Sequence, residues 1–201
     1  MGKIDSNKQL KETSLLRTAF EFFTTKGFSK TSISDIVNKA GVAKGTFYLY
    51  FKDKYDIRNK LVAHKSSQIF RNALDDLGSE LDSLPFEDKL LRLIDNMVNQ
   101  LNDNQSLLTF ISKNLSWGVF KSALTSPVEG DINFSDVYQK MLDDAPYKFR
   151  DPELMLFMIV ELVSSTCYST ILYSEPCSLT LLKPYLYDTI RMMIDQHKLP
   201  Q

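Results

Sequence analysis

The chain has 201 residues, 43% of them apolar, which suits one domain or a small module joined to a larger one and leaves ample material for a core. Seven Gly and seven Pro favour long helices over turn-rich sheet, so the chain reads as all-α. Two cysteines, Cys167 and Cys177, are too few for a disulfide framework, and no export pattern opens the chain, so the expected compartment is the reducing cytoplasm.

The net charge of −1 hides an asymmetry. Residues 1–60 hold 12 Lys/Arg and 6 Asp/Glu, whereas residues 61–201 hold 12 and 19. A basic N-terminal part on an acidic remainder is the balance expected when only the former meets a polyanion.

In chain order, Leu15, Leu16, Ala19, Phe20 and Phe23 recur with helical spacing and predict a helix from about Lys8 to Lys26, closed by Gly27. Thr31 or Ser32 caps a second helix whose inward residues are Ile33, Ile36, Val37 and Ala40. Ser32 and Asp35 have capping-box spacing, and Gly41 ends the helix. A third runs from after Val42 to about Phe51, and a longer fourth from near Asp53 towards Leu77 and Gly78. Two short helices around a Gly-centred turn make a helix-turn-helix.

The third helix is too short to persist alone, so Phe47 and Phe51, four apart, must hold it against helices one and two. At about 100° per residue the opposite side carries Gly45 and Leu49, flanked by Thr46 and Tyr48, with Lys44 near the N-terminus. Such a face suits a DNA groove: an aliphatic for a thymine methyl, a glycine for close approach, a cation for a guanine edge or a phosphate. Ser32, Thr46, Tyr50 and Lys54 offer donors around it for the phosphate backbone.

Phe20, Phe22, Gly27, the stretch TSISDIV (31–37) and the stretch AGVAKGTFYLYFKDK (40–54) together resemble the N-terminal domain of TetR/AcrR-type bacterial transcriptional regulators. The resemblance covers about residues 8–57. It implies a three-helix DNA-binding domain over 1–54 and a helical ligand-sensing and dimerisation domain over 55–201. By position, Lys44, Gly45, Thr46, Tyr48 and Leu49 would meet the major groove, and Ser32, Tyr50 and Lys54 would clamp phosphates. Ser34 lies where some members place a base-reading side chain.

Beyond Gly78 the reading rests on pattern alone. Helices are predicted near Phe86–Asn102, Ser106–Leu124, Asp136–Leu142, Pro152–Tyr173 and Leu179–His197. Asp151 is a possible cap before a first-turn Pro152. Residues 125–133 (TSPVEGDIN) read as a mobile loop, and Pro184 should delay or kink the last helix. The run Leu154–Tyr173 has the length of a membrane span, but Glu161 and several Ser/Thr favour a bundle core, and no membrane partner is expected. Ser164, Ser165 and Ser169 on that helix, with the stripe Leu182, Leu186, Ile190, Met193 and Ile194 on the next, suggest a homodimer through the last two helices.

For sensing, Phe110, Asn114, Trp117, Phe120, Phe157, Glu161 and Tyr168 are the expected lining of a cavity for a small-molecule effector. His64 and His197 lack ligand spacing, neither cysteine belongs to a CxxC, and no GxSxG, P-loop or dinucleotide motif occurs, so neither catalysis nor a cofactor or metal is expected. The function expected is that of a ligand-responsive repressor binding a palindromic double-stranded DNA operator. The alternative is the same fold serving as a protein-binding co-regulator.

Overall fold

The computed structural model describes residues 3–114, 117–119 and 134–200. Among them there is no strand, and the architecture is all-α. An N-terminal helix-turn-helix unit of α1 (Lys3–Thr25), α2 (Ile33–Ala40) and α3 (Lys44–Tyr50) is followed by the long α4 (Lys54–Leu77). After a short 3₁₀ segment (Gly78–Ser83) come α5 (Phe86–Asp103), α6 (Gln105–Asn114), α7 (Phe134–Asp143), α8 (Pro152–Tyr173) and α9 (Leu179–His197).

The local signals act largely as anticipated. Ser32 caps α2 by a full capping box: its hydroxyl accepts from Asp35 N at 3.1 Å, and its own N–H donates to Asp35 Oδ2 at 2.8 Å. Gly41 closes the helix with φ 70°, the left-handed conformation a glycine enters without Cβ strain. Asp53 caps α4 by accepting from the N–H groups of Tyr55 and Asp56.

Two expectations need correction, and a third falls partly outside the described residues. Asp151 stands at the cap of α8, with Pro152 in the first turn, but its backbone is left-handed (φ 49°) and its side chain makes no cap bond. Pro184 does not delay α9, which starts at Leu179 under a Ser178 cap. The carbonyl deprived of its helical donor belongs to exposed Thr180, where water can serve it. The helix expected over 106–124 is described as α6 to Asn114, while Phe120 and the stretch 125–133 lie outside the described residues.

Two apolar clusters form the interior. One joins Leu15 and Ala19 of α1, Ile36 and Val37 of α2, Phe47 and Phe51 to Ile57, Leu61 and Ile69 of α4. The other gathers α5, α7, α8 and α9 around Leu90, Met155, Ile159, Ile190 and Ile194, with Phe70 and Ala73 of α4. Helix α4 therefore runs from one cluster into the other, and Phe110 and Ile111 of α6 reach back into the first. Lys183 Nζ on α9, 2.5 Å from Asp95 Oδ1 and 2.6 Å from Asn99 Oδ1 on α5, ties the last helix to the bundle.

Candidate nucleic-acid interface and internal cavity

Helix α3 is seven residues long and has no side-chain cap, so its position depends on burial. Phe47 is 0% and Phe51 1% exposed, their rings 5.4 Å apart in the first cluster. Across the helix Leu49 is 78% and Tyr48 52% exposed, and Lys44 and Gly45 are exposed beside them. A Cβ added at Gly45 would meet nothing within 4 Å, so its surface is open to an approaching molecule. Thr46 is half-buried, and Ser34 is exposed on α2.

Three of the residues expected at phosphates, Ser32, Tyr50 and Lys54, have intramolecular partners. Ser32 is exposed, but its hydroxyl oxygen serves the α2 cap. The Tyr50 hydroxyl donates to Lys8 O of α1 at 3.1 Å. Lys54 Nζ donates to Phe28 O and Thr31 O, both at 2.9 Å, and lies 4.4 Å from the centre of the Phe28 ring. Lys54 therefore pins the α1–α2 turn to the start of α4, and a phosphate would find one of its three N–H groups uncommitted. The carbonyls that occupy it are 23 and 26 residues away in sequence, beyond the reach of a local pattern. Lys30 and Lys52, which the sequence reading did not select, are exposed in the turns flanking these helices.

Electrostatics at the edge are set by Asp35. The Ser32 N–H, then the Lys26 ammonium and the Ser32 hydroxyl, hold its carboxyl down at about 2. Lys26 Nζ is 2.9 Å from Asp35 Oδ2, and Lys39 pairs with Glu21 of α1. Both cations also lie near the Phe22 ring.

A second feature is a cavity of about 160 Å³ among α4, α5, α6, α7 and α8. Its wall is mostly aliphatic and aromatic, with Phe70, Met97, Phe134 and Met141 among the residues, and none of the described lining residues is Asp, Glu, Lys, Arg or His. Its ionisable groups stay neutral. Burial pushes the Cys167 thiol up to about 11 and raises the Tyr138 phenol, which donates to Pro152 O at 2.9 Å.

The expected lining set is not the one that encloses this cavity. Phe110 packs edge-on against Phe20, centroids 5.3 Å apart, and Asn114 Nδ2 donates to Phe110 O at 2.6 Å. Trp117 lies edge-on to Phe157 at 5.0 Å in a surface hollow beside Asp151. Glu161 is exposed, Tyr168 packs against Tyr173, and Phe120 lies outside the described residues. The cause is helical phase. Helix α8 turns Leu156, Ile159, Val160, Val163 and Cys167 to the cavity, a stripe at i, i+3 and i+4 spacing, which puts Glu161 on another side. Because α8 is apolar around most of its circumference, the sequence gives no contrast from which to read that phase.

The outer surfaces of the last two helices are apolar as well. Leu154 and Met158 of α8 and Leu181, Tyr185 and Met192 of α9 are exposed. The stripe anticipated for pairing is used differently, since Leu186, Ile190 and Ile194 are buried within the chain's own core. Helix α8 is also long and apolar enough to cross a membrane, though Met155, Leu156, Ile159 and Cys167 along it are packed inside.

Residues 15–61 match the family model described as bacterial regulatory proteins, tetR family. The uncharacterized HTH-type transcriptional regulator YvdT of Bacillus subtilis (strain 168) is 43% identical over 67 residues, which are 33% of this chain and 32% of that protein. The fatty acid metabolism regulator protein of the same strain is 27% identical over 131 residues, 64% of this chain and 66% of the relative. The similarity thus spans about a third and just under two thirds of these relatives' lengths. The crystal structure of the transcriptional regulator FadR from Bacillus subtilis in complex with stearoyl-CoA superposes with a TM-score of 0.63 at 20% identity, covering 90% of this chain and 97% of that one. At that identity the likeness is one of fold.

Proposed function

We propose that this chain is a DNA-binding transcriptional regulator of the tetR family, whose model matches residues 15–61, and that it acts as a cytoplasmic repressor that binds a palindromic operator as a homodimer and is released by a small-molecule effector. The observation that carries the reading is the division of α3, with Phe47 and Phe51 inside and Tyr48 and Leu49 outside beside an unobstructed Gly45. That face would enter the major groove, Leu49 against a thymine methyl and Lys44 at a base edge or phosphate, with Thr46 and Ser34 at its margin. Ser32, Tyr50 and Lys54 serve mainly to fix the helices in register, and any phosphate contact is additional to that role.

A palindromic operator presents its half-sites about 34–36 Å apart or at a multiple of the helical turn, so two α3 helices must be held at that spacing. The exposed apolar residues of α8 and α9 are the surface on which two copies would pair. We assign DNA reading to residues 1–54, and effector sensing and dimerisation to residues 55–201. The effector would occupy the cavity and favour a helix arrangement in which the two α3 helices no longer match the operator.

Selection of bound fragments from the source genome tests the reading, followed by affinity measurements over a salt series. Specific fragments should share an inverted repeat, and Leu49→Ala should lower affinity for them without loss of helicity. Recovery of no specific DNA, or affinity independent of salt, would sink the repressor assignment and favour a protein-binding role for the same face.

A further inference from the structure

Ser66 and Ser67 are adjacent on α4, and both line the cavity. Their hydroxyl oxygens are buried and have no hydrogen-bond partner among the described residues. A helical serine can return its hydroxyl to a carbonyl three or four residues earlier, but these two do not. A buried hydroxyl without a partner is costly, and two side by side on one apolar wall mark a place where a polar atom of a guest would be stabilised.

We infer that the cavity takes an uncharged, largely apolar molecule of about ring size whose single hydroxyl or carbonyl is met by Ser66 and Ser67. This rests on the sensing role proposed above and gives it a ligand class. The described wall disfavours charge. A carboxylate, phosphate or ammonium would lose its hydration with no counter-ion among the described lining residues. Size is set by the volume, since about 160 Å³ resembles an engineered cavity of about 150 Å³ that holds benzene. Met97 and Met141 give the wall some adaptability.

The anchor also supplies a route to the DNA-reading unit. Ser66 and Ser67 share α4 with Ile57 and Leu61, which pack against α3's cluster, and with Lys54, which holds the α1–α2 turn. A ligand that draws on these two hydroxyls therefore acts on the helix that carries the turn.

The test is calorimetric titration of the full chain with three probes built on one benzene ring: benzyl alcohol, toluene and benzoate. Benzyl alcohol should bind best, toluene more weakly, and benzoate at least about 100-fold more weakly than the alcohol. In the Ser66→Ala/Ser67→Ala double variant the alcohol should lose about five- to tenfold in affinity, the cost of one or two hydrogen bonds, while toluene is unaffected. The melting temperature of this variant should hold or rise, because unpartnered hydroxyls have been removed; a fall would mark the serines as structural and overturn the assignment. Val160→Phe, which fills the cavity, should abolish binding of both neutral probes.

Equal binding of benzoate, failure of all three probes, or an alcohol preference that survives loss of both serines overturns the inference. So does stearoyl-CoA binding in preference to the neutral probes, since its charged head would then be read outside this cavity. Release of selected DNA separates the two ideas. Benzyl alcohol that binds as stated but leaves DNA bound defeats the sensing role and keeps the ligand class. Carboxylates that release DNA defeat the class and keep the sensing role.

Discussion

Phe47 and Leu49 stand two residues apart on one short helix, and their truncations should fail in opposite ways. Phe47→Ala opens a void in the first cluster and should cost about 3–5 kcal/mol of stability, read as a lowered denaturant midpoint. Leu49→Ala removes a side chain that is 78% exposed and should change stability by no more than about 0.5 kcal/mol while impairing DNA binding. Gly45 extends the contrast. It is helical and meets open space, so Gly45→Ala should stabilise α3 by about 0.5–1 kcal/mol and still weaken DNA binding, because the methyl would occupy the surface proposed to meet the groove. A variant that is more stable and binds DNA as well as the parent would show that nothing approaches Gly45 closely. Asp35 has a pH signature whose sign follows from its depressed pKa. Folding lowers that pKa from 3.8 to about 2, so its contribution is complete above about pH 4 and is lost as pH falls towards 2. Melting temperatures of wild type and Asp35→Asn, compared from pH 5 to 2, should therefore converge at the acid end. Other carboxylates titrate in the same range, but they are common to both proteins.

At the scale of elements, the junction between α2 and α3 is set by backbone geometry more than by packing. Gly41 has φ 70°, and a Cβ there would meet nothing within 4 Å. Gly41→Ala should therefore cost only the left-handed backbone penalty, about 1 kcal/mol, or a fall in melting temperature of about 2–4 °C for a chain of this length. A much larger loss would mean that the turn carries more of the N-terminal cluster than its contacts indicate. The sequence was legible here because each signal is local: Ser32 and Asp35 three apart, Gly41 at the turn, Phe47 and Phe51 four apart. The phosphate set was read less well. The roles of Lys54 and Tyr50 depend on carbonyls of Phe28, Thr31 and Lys8 that only the folded chain brings near. The cavity was illegible for another reason. Helix α8 shows no polar face by which to orient it, so Glu161 is expected from the sequence among the cavity's lining residues, whereas the folded chain exposes it. Ser66 and Ser67 gave no signal, since two serines on a long amphipathic helix are ordinary until their surroundings are known.

At the scale of the molecule, the surface left apolar after α8 and α9 have packed on the core remains to be accounted for. On α9, Leu181, Tyr185 and Met192 fall at i, i+4 and i+11, one side of the helix, and Tyr185 is 71% exposed. Leu154 and Met158 repeat one turn apart on α8. A monomer would leave these side chains in water, whereas the proposed two-fold pairing of α8 and α9 would bury those that face the partner and give a four-helix interface. Tyr185→Glu places a charge in the middle of that face without touching Leu186, Ile190 or Ile194, which hold α9 to its own chain. Sedimentation should show a dimer for the wild type and a monomer for the variant, with far-UV circular dichroism unchanged. On the proposed dimeric reading DNA affinity should fall steeply in the monomer, because one α3 would read only a half-site and the second contact would no longer benefit from high effective concentration. If Tyr185→Glu stays dimeric, the pairing surface lies elsewhere. If it becomes monomeric but binds the full site undiminished, operator reading does not depend on two copies of α3.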